Sequence, residues 1–187
     1  MTNVDYAIRA VFGSEGGYST DPQDKGNWTG GSIGVGQLKG TKYGISAASY
    51  PTLDIKHLTL AQADSIYRRN YWNKDQCDFI PWKLSYPIFD SAVLDGPGTA
   101  VIFLQKALGV KVDGCMGPAT LAVLQHSDQD QVLSKFMANE LAYRMKDKKW
   151  KRYGHGWTIR ANRVAAGAYH PPPTDKNVKT PPAQLGR

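Results

Sequence analysis

The first apolar positions, Val4, Ala7, Ile8, Val11 and Phe12, fall three and four apart, which is the spacing of one helix face. Thr2 or Asn3 stands where an N-cap belongs. Gly16-Gly17 offers the left-handed turn on which such a helix stops, near Ser14. The periodicity then disappears. Residues 18–41 are polar and hold Gly26, Gly30, Gly31, Gly34, Gly36 and Gly40, with Trp28, Ile33, Val35 and Leu38 as the few apolar anchors. This stretch reads as an extended loop or a short irregular hairpin. Ordinary connections are much shorter, so a loop of this length points to function.

Helical spacing returns at Thr59, where Thr59 and Gln62 form a T-x-x-Q capping box ahead of Ala63, Ile66, Tyr67 and Tyr71. Further helices are predicted over 85–95, 99–108, 118–126, 130–149 and 158–168. Gly96 and Gly109 serve as stops, and Pro118 sits in a first turn. After Tyr169 the chain holds five prolines and almost no large apolar residue, the composition of a solvated tail. The expected fold is mainly α, with β structure confined to the glycine-rich loop.

Composition narrows the class. Of the 187 residues, 41% are hydrophobic and 21% charged, which are globular values and exclude wholesale disorder. No stretch approaches the roughly 18 uninterrupted apolar residues of a membrane-spanning helix. Asp5 and Arg9 interrupt the N-terminal apolar run, so a signal peptide is not expected. Cys77 and Cys115 lack metal-binding spacing, and His57, His126, His155 and His170 are widely separated, so neither a metal nor a cofactor is expected. The balance of 23 basic against 16 acidic residues leaves a formal charge of +7, alongside five Trp and ten Tyr. Such a chain suits a polyanion, and its aromatic rings suit bases or sugars.

Three segments carry candidate chemistry. Glu15, in Ser14-Glu15-Gly16-Gly17-Tyr18, follows a predicted helix. There the negative end of the dipole and partial burial raise a carboxyl pKa, as a general acid requires. Asp24, in Asp21-Pro22-Gln23-Asp24-Lys25-Gly26, lies nine residues further on in a turn that can face a second carboxylate across a cleft. The segment Lys39-Gly40-Thr41-Lys42-Tyr43-Gly44-Ile45-Ser46 has the wrong order for a phosphate-binding loop, and Gly34-x-Gly36 fails the dinucleotide spacing.

Read together, Glu15-Gly16-Gly17-Tyr18, Asp21-Pro22, Asp24-x-Gly26 and Thr41-Lys42-Tyr43-Gly44-Ile45-Ser46 resemble glycoside hydrolase family 108, lysozyme-like muramidases of phage endolysins and secretion-associated loci. Phe89-Asp90-x-Ala92-Val93-x-Asp95-Gly96, Val112-Asp113-Gly114-x-x-Gly117-Pro118-x-Thr120 and Gly156-Trp157-x-x-Arg160-x-x-Arg163-Val164 extend the likeness over roughly 4 to 168. The resemblance implies a lysozyme-like helical domain whose glycine-rich loop or small hairpin lines the cleft. It also implies hydrolysis of the β-1,4 bond between N-acetylmuramic acid and N-acetylglucosamine, with Glu15 as acid. Asp24 is then the second carboxylate, Thr41 orients water, and Tyr18, Tyr43, Tyr86 and Asp90 form the substrate wall. The chain departs from the family in two places: residues 27–40 intervene where many members have only a few residues, and Asp95 stands where asparagine is common.

The organisation expected is a catalytic portion over 1–96, a helical, predicted peptidoglycan-binding portion over 97–168 packed with it, and a tail over 169–187. The expected partners are peptidoglycan glycan strands and the anionic bacterial envelope, for a monomer made in the cytoplasm and reaching the wall by holin-type or other assisted export. Two other classes compete: a catalytically silent wall-binding or secretion-accessory protein, and a nucleic-acid module using Lys146, Lys148, Lys149, Lys151 and Arg152 beside Trp150 and Tyr153. With Glu15 and its companion motifs present, nucleic acid is not the expected partner.

Overall fold

The computed structural model describes residues 1–12 and 17–172. Among them are seven α-helices and one two-stranded antiparallel sheet, a mainly α chain. Its described residues form two compact units, one within 8–67 and one of 1–7 with 68–172. This division falls after Tyr67, whereas the motif boundary read from the sequence falls at Gly96.

The first helix, α1 (Asn3–Phe12), starts at a cap in which the Thr2 hydroxyl donates to Asp5 Oδ2 at 2.9 Å. The Thr2 amide hydrogen bond to the same carboxylate, with help from Arg68, holds the Asp5 pKa down at about 2. The helix ends at Phe12, and the stop expected at Gly16-Gly17 lies outside the described residues except for Gly17.

In the 8–67 unit the glycine-rich segment is an ordered set of turns. A hairpin pairs β1 (Thr41–Lys42) with β2 (Ile45–Ser46), Thr41 opposite Ser46 and Lys42 opposite Ile45. Its two-residue turn, Tyr43-Gly44, has φ of 52° and 73°, the double left-handed geometry that matches strand twist. A second closure joins Trp28 to Leu38 and folds 29–37 into its own loop, with Thr29 N–H donating to Gln37 O at 2.9 Å. Helix α2 (Leu60–Tyr67) begins at the expected capping box: Thr59 N–H donates to Gln62 Oε1 at 2.8 Å, and Gln62 N–H to Thr59 Oγ1 at 3.2 Å. Ile8, Ile45, Ala47, Ile55, Leu58, Ala63 and Ile66 supply the buried apolar side chains of this unit.

The other unit is a helical bundle centred on α3 (Trp82–Asp95), where every residue from Leu84 to Ala92 is buried. A helix apolar around most of its circumference needs neighbours on all sides. They are α4 (Pro97–Leu108), α6 (Gln129–Arg144) and α7 (Trp150–Ala168), while α5 (Pro118–Gln125) packs on α4. Edge-on aromatic contacts, Trp72 with Phe89 at 5.6 Å and Phe103 with Phe136 at 6.2 Å, fix the packing.

Two predicted boundaries move. Helix α6 ends at Arg144 instead of Lys149, because Asp147 folds into a turn whose carboxylate accepts from Lys149 N–H at 2.7 Å. Helix α7 begins at Trp150 instead of 158. Gly154 and Gly156 weaken helical propensity. Gly154, however, is buried under Trp150, whose ring atom Cδ2 lies 2.7 Å from where a Cβ would stand. The close approach of that ring requires glycine, and Trp150 and Tyr153 both lie against Trp157.

Candidate functional site

Asp24 stands at the N-cap of a short 3-10 turn, Lys25–Asn27, in extended conformation. Its Oδ1 accepts from Gly26 N–H at 2.9 Å, and the side chain is exposed, so the second oxygen faces solvent. The turn is anchored by Asn27, which is 0% exposed although polar and uncharged. Burying an amide demands partners. Asn27 Nδ2 donates to Asp21 O at 2.9 Å, and its backbone carbonyl accepts from Lys39 N–H and Gly40 N–H, both at 3.0 Å.

The same amide fixes Thr41. Because Asn27 Nδ2 is committed to a carbonyl, Oδ1 is the acceptor that faces Thr41, and the Thr41 hydroxyl donates to it at 2.7 Å. The hydroxyl hydrogen is therefore spent inward and the oxygen lone pairs remain for another donor. Thr41 is also held by paired backbone hydrogen bonds with Ser19, at 2.8 and 2.9 Å. Gly40, at φ +85°, has no room for a side chain: a Cβ there would stand 2.8 Å from Tyr18 Cε2. Tyr18 is exposed along the rest of its ring and donates its hydroxyl to Lys39 O at 3.1 Å. Asp24, Thr41 and Tyr18 are thus assembled by one buried asparagine and one close glycine contact. Tyr43 sits in the β1–β2 turn, with Lys42 Nζ 5.3 Å from its ring centre and its carbonyl accepting from the Tyr67 hydroxyl at 3.2 Å. Glu15 lies outside the described residues.

Tyr86 and Asp90 belong to the helical bundle. In place of the sugar-facing wall read from the sequence, Tyr86 is 4% exposed, stacked on Trp82 at 4.8 Å and against Gly167. Burial pushes its phenol pKa up. Asp90 is equally buried and takes both nitrogens of the Arg160 fork, at 2.8 to 3.2 Å. Asp95 accepts from buried Arg144 at 2.9 Å, which also donates to Glu140 at 2.6 Å. Burial raises the Glu140 pKa to about 7 despite that partner. These carboxylates tie α3 to α6 and α7.

The Asp113–Thr120 element is likewise internally engaged. Gln105, 1% exposed, donates to Asp113 Oδ1 at 2.8 Å and Cys115 O at 3.0 Å, and accepts from the amides of Asp113 and Gly114.

Sequence reasoning passed over Asn27 and Gln105. Each is a lone amide with no periodic pattern around it; the only signal is an Asn directly after the Asp-x-Gly turn, and a Gln on the apolar face of a helix.

The family model for glycosyl hydrolase 108 matches residues 8–96, a span that takes in Asp24, Asn27 and Thr41. Among solved structures, the chain is similar to that of Brucella abortus SagA, at 32% identity and a TM-score of 0.75, over 89% of this chain and 94% of that one. No curated protein gives a significant match.

Proposed function

Because the chain belongs to the glycosyl hydrolase 108 family, which implies a glycosidase acting on peptidoglycan, we propose that it is an N-acetylmuramidase with Glu15 as general acid. The bond cleaved is the β-1,4 link between N-acetylmuramic acid and N-acetylglucosamine. Glu15, protonated, donates to the glycosidic oxygen as the muramic-acid carbon takes on oxocarbenium character. The observation that supports this reading is that buried Asn27 bonds to both segments, accepting from the Thr41 hydroxyl at 2.7 Å and donating its backbone N–H to Asp24 O at 3.1 Å. An exposed carboxylate and a hydroxyl with free lone pairs, both anchored through Asn27, are what the second half of the reaction needs. Asp24 supplies negative charge to the cationic centre or takes the proton of the incoming water, and Thr41 accepts a hydrogen bond from that water. Tyr18 and Tyr43 offer ring faces to the sugars.

The exposed cations Lys146, Lys148, Lys149, Lys151 and Arg152, at the junction of α6 and α7, support adsorption to an anionic envelope, in keeping with an endolysin-type enzyme that reaches the wall by assisted export.

The deciding experiment digests purified sacculi with the wild-type protein and with Glu15→Gln, and weighs the released muropeptides. Reducing N-acetylmuramic acid ends from the wild type, lost by at least about a hundredfold in the variant, are expected. Cleaved peptide crosslinks, or near-normal lysis by Glu15→Gln, would refute the reading.

A further inference from the structure

Beside the Asp24–Thr41 arrangement the 8–67 unit holds a half-open cavity of about 390 Å³. Small-ligand sites occupy about 300–1,000 Å³, so the space holds more than a water cluster. Tyr18 forms one wall, and the same ring rests on Gly40, the residue before Thr41. Leu38 and Lys39, from the end of the 27–40 segment, also line the cavity. Thr52, Asp54, Ile55 and Lys56 complete the lining.

The chemistry of this lining is specific. Two lysines and one aspartate are among the lining residues, so the lining is net positive. Lys39 Nζ spends one hydrogen on Pro51 O at 2.8 Å, which fixes the ammonium in place and leaves two donors. Lys56 is exposed, and its carbonyl is held by Lys42 Nζ at 3.1 Å. Asp54 is bound to His57 Nδ1 at 2.9 Å and stays an acceptor. Leu38 and the Tyr18 ring, both exposed, provide apolar contact for methyl groups. A neutral sugar has no use for two lysines. A lactyl-linked peptide brings carboxylates for Lys39 and Lys56, amide N–H groups for Asp54, and alanine-sized methyls for the apolar wall.

We infer that this cavity, lined by Tyr18, Leu38, Lys39 and the 52–56 segment, is a subsite for the carboxylate-bearing stem peptide of peptidoglycan. The inference rests on the muramidase reading and adds a preference to it: peptide-bearing glycan is cut in preference to bare glycan of the same sugar sequence. A peptide anchored in the cavity contributes binding energy that the naked strand lacks, and that energy appears in KM.

The test compares Lys56→Gln and Lys39→Gln with wild type on two substrates: glycan strands carrying stem peptides, and the same strands stripped of peptide by an amidase. Lys56 makes no side-chain hydrogen bond that the fold depends on, and glutamine at 39 keeps a donor for Pro51 O. Wild type is expected to favour peptide-bearing strands, and each substitution to lower that preference by roughly three- to fivefold through KM, the scale of one exposed ion pair. Equal losses on both substrates, or no loss on either, overturn the subsite. A second arm titrates a soluble muramyl dipeptide into Glu15→Gln protein and follows binding by NMR. Saturable binding weakened by Lys56→Gln supports the subsite, and no binding overturns it. Absence of cleavage on both strand types with intact dipeptide binding would remove the muramidase reading while leaving the subsite standing.

Discussion

Thr41 donates its hydroxyl hydrogen to the side-chain oxygen of Asn27 at 2.7 Å, and that one contact links the hairpin strand to the turn carrying Asp24. Replacing Asn27 by alanine leaves the Asp21 carbonyl and the Thr41 hydroxyl without their buried partner. The expected cost is about 2–3 kcal/mol in urea unfolding, together with loss of turnover on sacculi. Asn27→Asp is expected to fail as well, since a carboxylate has no N–H for Asp21 O. An Asn27→Ala protein with wild-type stability and rate removes this amide from the site.

At Thr41 the side chain can be tested apart from the fold. Thr41→Ser keeps the hydroxyl and is expected to retain most activity. Thr41→Val keeps the shape but cannot accept a hydrogen bond from water, and its rate of reducing-end release is expected to fall at least about tenfold. Equal rates for the two variants would assign Thr41 to packing alone.

Asp24 can be neutralised without disturbing its cap. In Asp24→Asn the side-chain oxygen still accepts from Gly26 N–H, so stability should change by less than about 1 kcal/mol. The loss of charge is expected to reduce turnover by about a hundredfold or more. The anomer released by wild type, followed by NMR, then assigns its role: retention makes Asp24 the partner of a covalent intermediate, inversion makes it the base for water. Full activity in Asp24→Asn moves the role to another carboxylate.

The extent to which this site was legible beforehand follows from what each residue does. Helices with an apolar stripe are visible because burial repeats every three or four residues, so α2 to α5 and the start of α6 fall close to their predicted places and the Thr59–Gln62 box forms as read. Helix α7 was half hidden because Gly154 counts against a helix locally, and only the Trp150 ring packed on it explains its presence. Asp24 and Thr41 carried recognisable motifs, whereas Asn27 acts through long-range partners at 21 and 41 that a linear reading does not bring together. Tyr86 shows the converse: an aromatic in a motif-rich chain reads as a sugar platform until its neighbour Trp82 covers it.

Gly40 provides a steric test of the same assembly. Its φ of +85° and the closeness of Tyr18 and the Ser19 carbonyl leave no space for a methyl group. Gly40→Ala is expected to lose about 2 kcal/mol or more of stability and to shift Thr41, lowering turnover. The glycine at 34, also at positive φ but with open space around it, is the control: Gly34→Ala should cost only about 1 kcal/mol and leave turnover intact. Equal behaviour of the two variants contradicts the packing argument.

Asp75 predicts how stability responds to pH. It is 2% exposed, and its Oδ2 has no hydrogen-bond partner among the described residues. Burial raises its pKa from 3.8 to about 7, with Lys74 opposing only in part. Between those values the folded protein holds a proton that the unfolded chain has released, so stability falls as pH rises. The contribution is fully present below about pH 4 and lost above about pH 7, with a slope of up to about 1.4 kcal/mol per pH unit. Glu140, raised in the same direction by its own burial, adds to the trend. Asp75→Asn keeps the shape and never ionises, so its urea-unfolding free energy should vary less between pH 4.5 and 7.5 than that of wild type. The variant is expected to be the more stable protein at pH 7.5 and to lose that advantage at pH 4.5. A wild-type stability that rises over this interval, or an identical slope in the variant, contradicts a protonated Asp75 in the folded core.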